Sequence, residues 1–221
     1  MSAPRSFDVL QERVQETLQG VNRFNPNNLP LLEEYVEAEV AEARYDSTAL
    51  LTVLKLYQLN PNLYNASVTA RILLKTLMAL PKPDNVLAKS IIDQANVEEE
   101  RVGRILELCS LLESCQFKQV WLLLEARPDL TAGVTGFTEA VRNYACHVVN
   151  ITYQNISIGL LTELLGNATE AELKKIAADQ HWEVKADGFV LVSGQDARIK
   201  SKNIQERLQF ENIQDILRSS A

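Results

Sequence analysis

The sequence has no apolar run near the ~20 residues that a membrane-spanning helix requires. Its first residues, Met1-Ser-Ala-Pro-Arg5, lack the apolar core of a secretory leader, which predicts a cytosolic or nuclear chain. Cysteine is scarce and odd in number, with Cys109, Cys115 and Cys146 in apolar helical surroundings, so no disulfide framework is expected. Without secretion, the glycosylation triplets at Asn65, Asn150, Asn155 and Asn167 carry no chemistry. There is no C-x-x-C and no H-x-x-x-H, and Cys109 and Cys115 stand out of helical register, which argues against zinc or any other metal. Neither G-x-x-x-x-G-K nor G-x-G-x-x-G occurs, so no phosphate loop and no nucleotide cofactor is predicted. Basic residues number 22 against 29 acidic ones, a net charge of −7, which excludes a general binder that works by neutralising phosphates.

Histidine is scarcer still, at His147 and His181. Cys146 and His147 are adjacent, as a thiol–imidazole nucleophile would need, but neighbours on a helix point about 100° apart. The pair therefore reads as a core thiol beside a core histidine, and no enzyme, cofactor or small-molecule substrate is expected.

What is present divides in two. All 7 prolines lie at or before Pro128, and 6 of the 8 glycines lie at or after Gly133. Residues 1–127 read as helices alone. Phe7, Leu10, Val14, Leu18 and Val21 form a first stripe, with Ser6 as its cap. A second helix starts near Asn28 with Pro30 in its first turn. Asp46 or Ser47 caps a third, carrying Leu50, Leu51, Leu54 and Tyr57. Val68, Ile72, Leu73 and Leu77 mark a fourth that stops at Pro81-Lys-Pro83. A fifth from Asp84 carries Leu87, Ile91 and Ile92. The acidic triplet Glu98–Glu100 opens a sixth, where carboxylates meet the positive end of the macrodipole; it carries Ile105, Leu106, Cys109 and Leu112. Phe117, Val120, Trp121 and Leu124 stripe a seventh. Phe24-Asn-Pro-Asn-Asn28 returns 35 residues later as Leu59-Asn-Pro-Asn-Leu63, the scale of one helix pair in a repeat array. This half is predicted to be a HEAT-like helical repeat domain.

Residues 128–136 are the joint, opened by Pro128 and closed by Gly133 and Gly136. Beyond it, over 137–221, three helices are expected, striped by Phe137, Val141, Tyr144 and Val148, then by Leu160, Leu161, Leu164 and Leu165, then by Leu173 and Ile176 behind a Thr169/Glu172 capping box. Trp182, Val184 and Ala186 next alternate with polar residues, Asp187-Gly188 turns the chain, and Phe189 to Val192 returns. Three helices and a hairpin predict a winged helix, and an amphipathic helix then ends the sequence. The overall fold class is mainly α, with a small β-hairpin wing.

In a winged helix the third helix enters the major groove. Here Lys174 and Lys175 are offset by Glu170, Glu172 and Asp179, so base readout is not expected. Two surfaces remain as candidates. Arg198, Lys200, Lys202 and Arg207 form a basic stretch that could touch RNA phosphate, set against the simpler reading of a solvated linker, which predicts weak or no direct RNA binding. Phe210, Ile213, Ile216 and Leu217 form an apolar helical face that packs either on this chain or on a partner helix.

Several segments resemble one family. They are Asn22-Arg-Phe-Asn-Pro26, Tyr45-Asp46, Val53-Leu-Lys-Leu-Tyr-Gln-Leu-Asn-Pro61, Ile72-Leu-Leu-Lys75, Asp93-Gln-Ala95, Leu111-Leu-Glu-Ser-Cys-Gln-Phe117, Gly136-Phe137, Cys146-His-Val-Val149, Ile151-Thr-Tyr-Gln154 and Ile199-Lys-Ser-Lys-Asn-Ile204. Together they are similar to the k subunits of eukaryotic translation initiation factor 3, with Ser201 where that family has proline. The resemblance implies a helical-repeat domain followed by a winged helix, related to the PCI module. It implies a non-catalytic scaffold subunit in the cytoplasm, with a nuclear pool, acting with the small ribosomal subunit in translation initiation. The l subunit would be its close neighbour among the factor's other subunits. The alternatives are a small PCI-type subunit of the proteasome lid or signalosome, or a free nucleic-acid-binding winged-helix protein.

Overall fold

A computed structural model describes residues 7–42, 44–97, 99–185 and 187–192. The expectations for Ser6, Glu98, Ala186 and the whole stretch 193–221 lie outside the described residues.

Helix α1 (Phe7–Thr17) buries Phe7, Leu10 and Val14, the predicted stripe. The stripe ends sooner than its spacing suggested. Gly20 takes a left-handed φ of +60° and the chain enters a 3-10 turn over Gly20–Phe24, so Val21 is 86% exposed rather than packed. Both Asn-Pro copies form 3-10 turns, over Pro26–Asn28 and Pro61–Leu63. The first leads into α2 (Leu29–Ala41), with Pro30 in its opening turn.

Side-chain caps start the next helices. Asp46 accepts from the amides of Thr48 (3.0 Å) and Ala49 (3.3 Å) at the head of α3 (Ser47–Leu59). Asn65 does the same for Ser67 and Val68 at the head of α4 (Ala66–Met78). The array continues with α5 (Asp84–Ile91), a single turn α6 (Gln94–Val97), α7 (Glu100–Glu113) and α8 (Phe117–Ala126). Helix α4 lies at its centre, against α2, α5 and α7. It is buried nearly all round, through Val68, Ile72, Leu73, Leu74 and Leu77, as a helix without a solvated face must be.

Helix α5 departs from expectation. Leu87 is exposed, and Asn85 and Ala88 face inward. The reason is polar. Asn85 donates to Glu113 Oε1 (2.9 Å), and its Oδ1 accepts from Cys109 Sγ (3.4 Å) and Thr76 Oγ1 (3.5 Å). A buried amide with these partners costs little, and it turns the helix away from the leucine stripe.

After α8, a 3-10 turn at Pro128–Thr131 buries Leu130 completely, and Gly136 in the left-handed region precedes α9 (Phe137–Thr152). The chain then runs β1 (Asn155–Ser157), α10 (Ile158–Leu164), α11 (Glu170–Asp179), β2 (Glu183–Val184) and β3 (Phe189–Leu191). The expected hairpin forms, and β1 adds a third antiparallel strand. The sheet order is β1-β3-β2, with Ile156 opposite Val190 and Val184 also opposite Val190. This is the winged-helix topology. Trp182 and Val190 turn inward, whereas Val184 on the short edge strand is exposed. On α10, Leu161 and the following Leu165 are buried and Leu160 is exposed. The buried residues form one core from Phe7 to Val192.

Candidate assembly surfaces

The winged-helix portion is held by polar locks on an apolar centre. The capping box at α11 is complete. Thr169 Oγ1 accepts from Glu172 N, and Glu172 Oε2 accepts from Thr169 N (2.8 Å). Arg142 of α9 ties this helix down, donating from Nη1 to Glu172 Oε1 (3.0 Å) and from Nε to the Leu165 carbonyl (3.1 Å). The amide of Thr169 and then Arg142 hold the Glu172 carboxyl below its usual range. Lys174 is paired with Glu170 on its own helix at 2.8 Å. Glu170, Glu172 and Lys174 of the third helix are thus held in intramolecular contacts, and the helix offers none of the Arg, Asn or Gln side chains that read base edges.

Two depressions flank α11. One, of about 370 Å³ between α9 and α11, is lined by charged and polar groups including Glu139, Arg142, Lys175 and Asp179. The other is a smaller apolar recess of about 70 Å³ under the wing, walled by Ile158, Leu161, Leu173, Ala177, Val184 and Val190. Val184 on its wall is exposed, as are Leu160 and Phe189, the sequence neighbours of its wall residues Leu161 and Val190. An apolar recess with little polar lining suits contact with another apolar side chain more than chemistry on a small molecule.

The sequence candidate for a nucleophile separates in three dimensions. Cys146 is buried and its thiol is pushed up to about 11 by that burial. His147, the next residue of α9, is exposed, which corrects the expectation of a core histidine. Cys109 is likewise pushed up to about 12, chiefly by burial. A thiol so shifted is not a thiolate near neutrality. Among the described residues, no group of three or more His, Cys, Asp and Glu could hold a metal ion. No helix among them is long and apolar enough to cross a membrane. The other sequence candidates, Arg198, Lys200, Lys202 and Arg207 and Phe210, Ile213, Ile216 and Leu217, lie outside the described residues.

Sequence reasoning missed the contact that ties the array to the winged helix. Trp121 Nε1 of α8 donates to the Leu164 carbonyl at 2.9 Å, and Lys118 and Glu163 pair across the same contact at 3.5 Å. A tryptophan on an apolar stripe announces burial but not its partner 43 residues away.

Residues 63–203 match the profile of the CSN8/PSMD8/EIF3K family. Over almost the full length the chain is similar to proteins called eukaryotic translation initiation factor 3 subunit K. The identity is 45% to that of Xenopus tropicalis, over 97% of this chain and 99% of the relative. It is 44% to that of Homo sapiens, over 97% and 98%. The match to that of Caenorhabditis briggsae is 40%, over 97% of each chain.

Proposed function

This chain belongs to the CSN8/PSMD8/EIF3K family, and we propose that it is the K subunit of eukaryotic translation initiation factor 3, a scaffold without catalytic activity. The observation that carries the proposal is identity of 40–45% over nearly the whole of both chains, to relatives that share one name. The same observation favours the initiation factor over the proteasome lid and the signalosome. Buried high-pKa thiols and paired charges on the third helix support a role in assembly over one in chemistry or base reading.

In this reading residues 1–127 form the helical-repeat domain, 128–136 the joint and 137–221 the winged-helix domain. The chain works in the cytoplasm, in contact with other subunits of the factor, the l subunit among them. Through that complex it acts on the small ribosomal subunit during initiation. Phe210, Ile213, Ile216 and Leu217 supply an apolar face to a partner helix. Arg198, Lys200, Lys202 and Arg207 contribute at most peripheral contact with RNA phosphate.

The test is immunoprecipitation of the tagged full chain from its own cells. Other subunits of the factor and proteins of the small ribosomal subunit are expected in the pellet. Recovery of proteasome-lid or signalosome subunits in their place, or of none of these, would refute the assignment.

A further inference from the structure

The two Asn-Pro turns share one end of the helical array, and the surface between them is hollow. Pro26, Leu29, Glu33, Leu63 and Tyr64 wall a recess of about 470 Å³ there. Ala66 and Ser67, in the first turn of α4, belong to this recess and also to a second of about 470 Å³, whose far side is formed by Glu99, Arg101, Arg127 and Asp129. The two join into one open trough. It crosses the head of α4 and ends at the 3-10 turn after α8.

Two features of the trough are unexplained by folding. The first is apolar. Leu63, on the trough wall, is 46% exposed, and Phe24 and Leu59, which come immediately before Asn-Pro in the two turns and are not among the wall residues, are 45% and 55% exposed. Large apolar side chains repeated at matched exposed positions gain nothing for the core. The second is charge. Glu100 meets the macrodipole of α7 and, with Asp129, is paired to Arg127, each at 3.2 Å. Glu99 makes no side-chain cap bond and has no ion-pair partner among the described residues. Glu99 lines the second recess. The Tyr64 hydroxyl on the first is raised chiefly by burial, with Thr69 lowering it and the charge of Glu99 adding to the rise. With Glu33, Glu99, Glu100 and Asp129 against Arg101 and Arg127, the walls are net acidic.

We propose that this trough is a docking groove for an extended basic segment of another polypeptide, whose apolar side chains seat against Pro26 and Leu63 and whose Lys or Arg pairs with Glu99. The charge complementarity selects a basic peptide and repels nucleic-acid phosphate. The groove is formed by helix ends and turns, so it suits an extended strand of chain better than a second helix laid along the array. The inference rests on the reading of the chain as a subunit of a larger assembly.

The experiment places the photoreactive amino acid p-benzoylphenylalanine at Ser67, and separately at Asn62, in the tagged full chain expressed in its own cells. The intact complex is irradiated and the adducts are sequenced by mass spectrometry. The expected result is an adduct from both sites to a segment of another subunit with more Lys and Arg than Asp and Glu. Glu99→Lys in the same background should lower its yield about fivefold, the equivalent of one exposed ion pair. Adducts only within this chain, to RNA or to an acidic segment, or an undiminished yield with Glu99→Lys, would overturn the groove while the complex itself stayed intact. Failure of the unsubstituted tagged chain to enter any assembly would remove the premise and the groove together.

Discussion

The indole ring of Trp121 occupies the space that a side chain at Gly166 would need. A Cβ built on Gly166 would lie 2.7 Å from two ring carbons of Trp121, and the glycine itself has φ +76°. The ring thus lies flush on backbone, which lets its Nε1 reach the Leu164 carbonyl at 2.9 Å. Array and winged helix are clamped where α8 meets the end of α10.

Gly166→Ala should accordingly lose more than the ~1 kcal/mol of an ordinary left-handed glycine, because strain and steric overlap act together. A loss of about 2–4 kcal/mol is expected in urea unfolding monitored by tryptophan fluorescence. Trp121→Phe keeps most of the apolar contact but leaves the Leu164 carbonyl without this donor, and should cost about 1–2 kcal/mol. A Gly166→Ala variant as stable as the parent would show that the clamp is looser than described.

Glu39 makes the stability of this protein depend on pH in an unusual direction. Its side chain is fully buried in α2, and among the described residues neither carboxylate oxygen has a partner in good hydrogen-bond geometry. Burial, followed by the charge of Asp46, pushes its pKa up to about 8. The backbone amide of Asp46 and then Lys75 lower it somewhat, but the Lys75 ammonium donates to the Glu39 backbone carbonyl (3.2 Å) and not to the carboxylate. The folded state thus holds this proton more tightly than the unfolded chain. The contribution is fully present below about pH 4.5 and is lost as pH rises from there to about 8. Glu39→Gln should therefore stabilise the protein by on the order of 3 kcal/mol at pH 7, with no gain at pH 4. Unfolding curves of both proteins at pH 4, 7 and 8.5 check this, and a gain independent of pH would contradict it.

The three thiols should react unequally. Cys115 is exposed, while Cys109 and Cys146 are buried and shifted upward. A disulfide reagent at pH 7.5 should modify one thiol per native chain within minutes and all three after denaturation. Rapid native labelling of two or more would show that α7 or α9 opens readily.

The proposed partner face of Phe210, Ile213, Ile216 and Leu217 gives the sharpest test of assembly. Ile213→Asp should leave the melting temperature of the isolated chain within about 2 °C of the parent and abolish co-purification with the factor, since an unpaired carboxylate in an apolar contact is costly. A lowered melting temperature with intact co-purification would mean that this face packs on its own chain.

Much of the fold can be read from residues alone because the signals are local. Pro30 in a first turn, Asp46 before α3, the Thr169/Glu172 box and Asp187-Gly188 each act within four residues and each appears where expected. Stripes proved less reliable at their edges. Val21, Leu87, Leu160 and Val184 fit a spacing but not a neighbour, and each is exposed. Strand β1 escaped notice because Asn155-Ile156-Ser157 is too short and polar to show alternation; it exists only because β3 offers it a free edge.

The sequence by itself determined the helical class, the capped starts, the change of grammar after Pro128 and the absence of a metal or phosphate motif, since all of these depend on neighbours along the chain. Tertiary structure alone decided that the Glu39 carboxyl is buried, that Asn85 displaces Leu87 from the core, that Trp121 rests on Gly166 and that two distant Asn-Pro turns wall one recess. Burial and juxtaposition arise from packing between residues tens of positions apart, and no local pattern encodes which helix end will meet which.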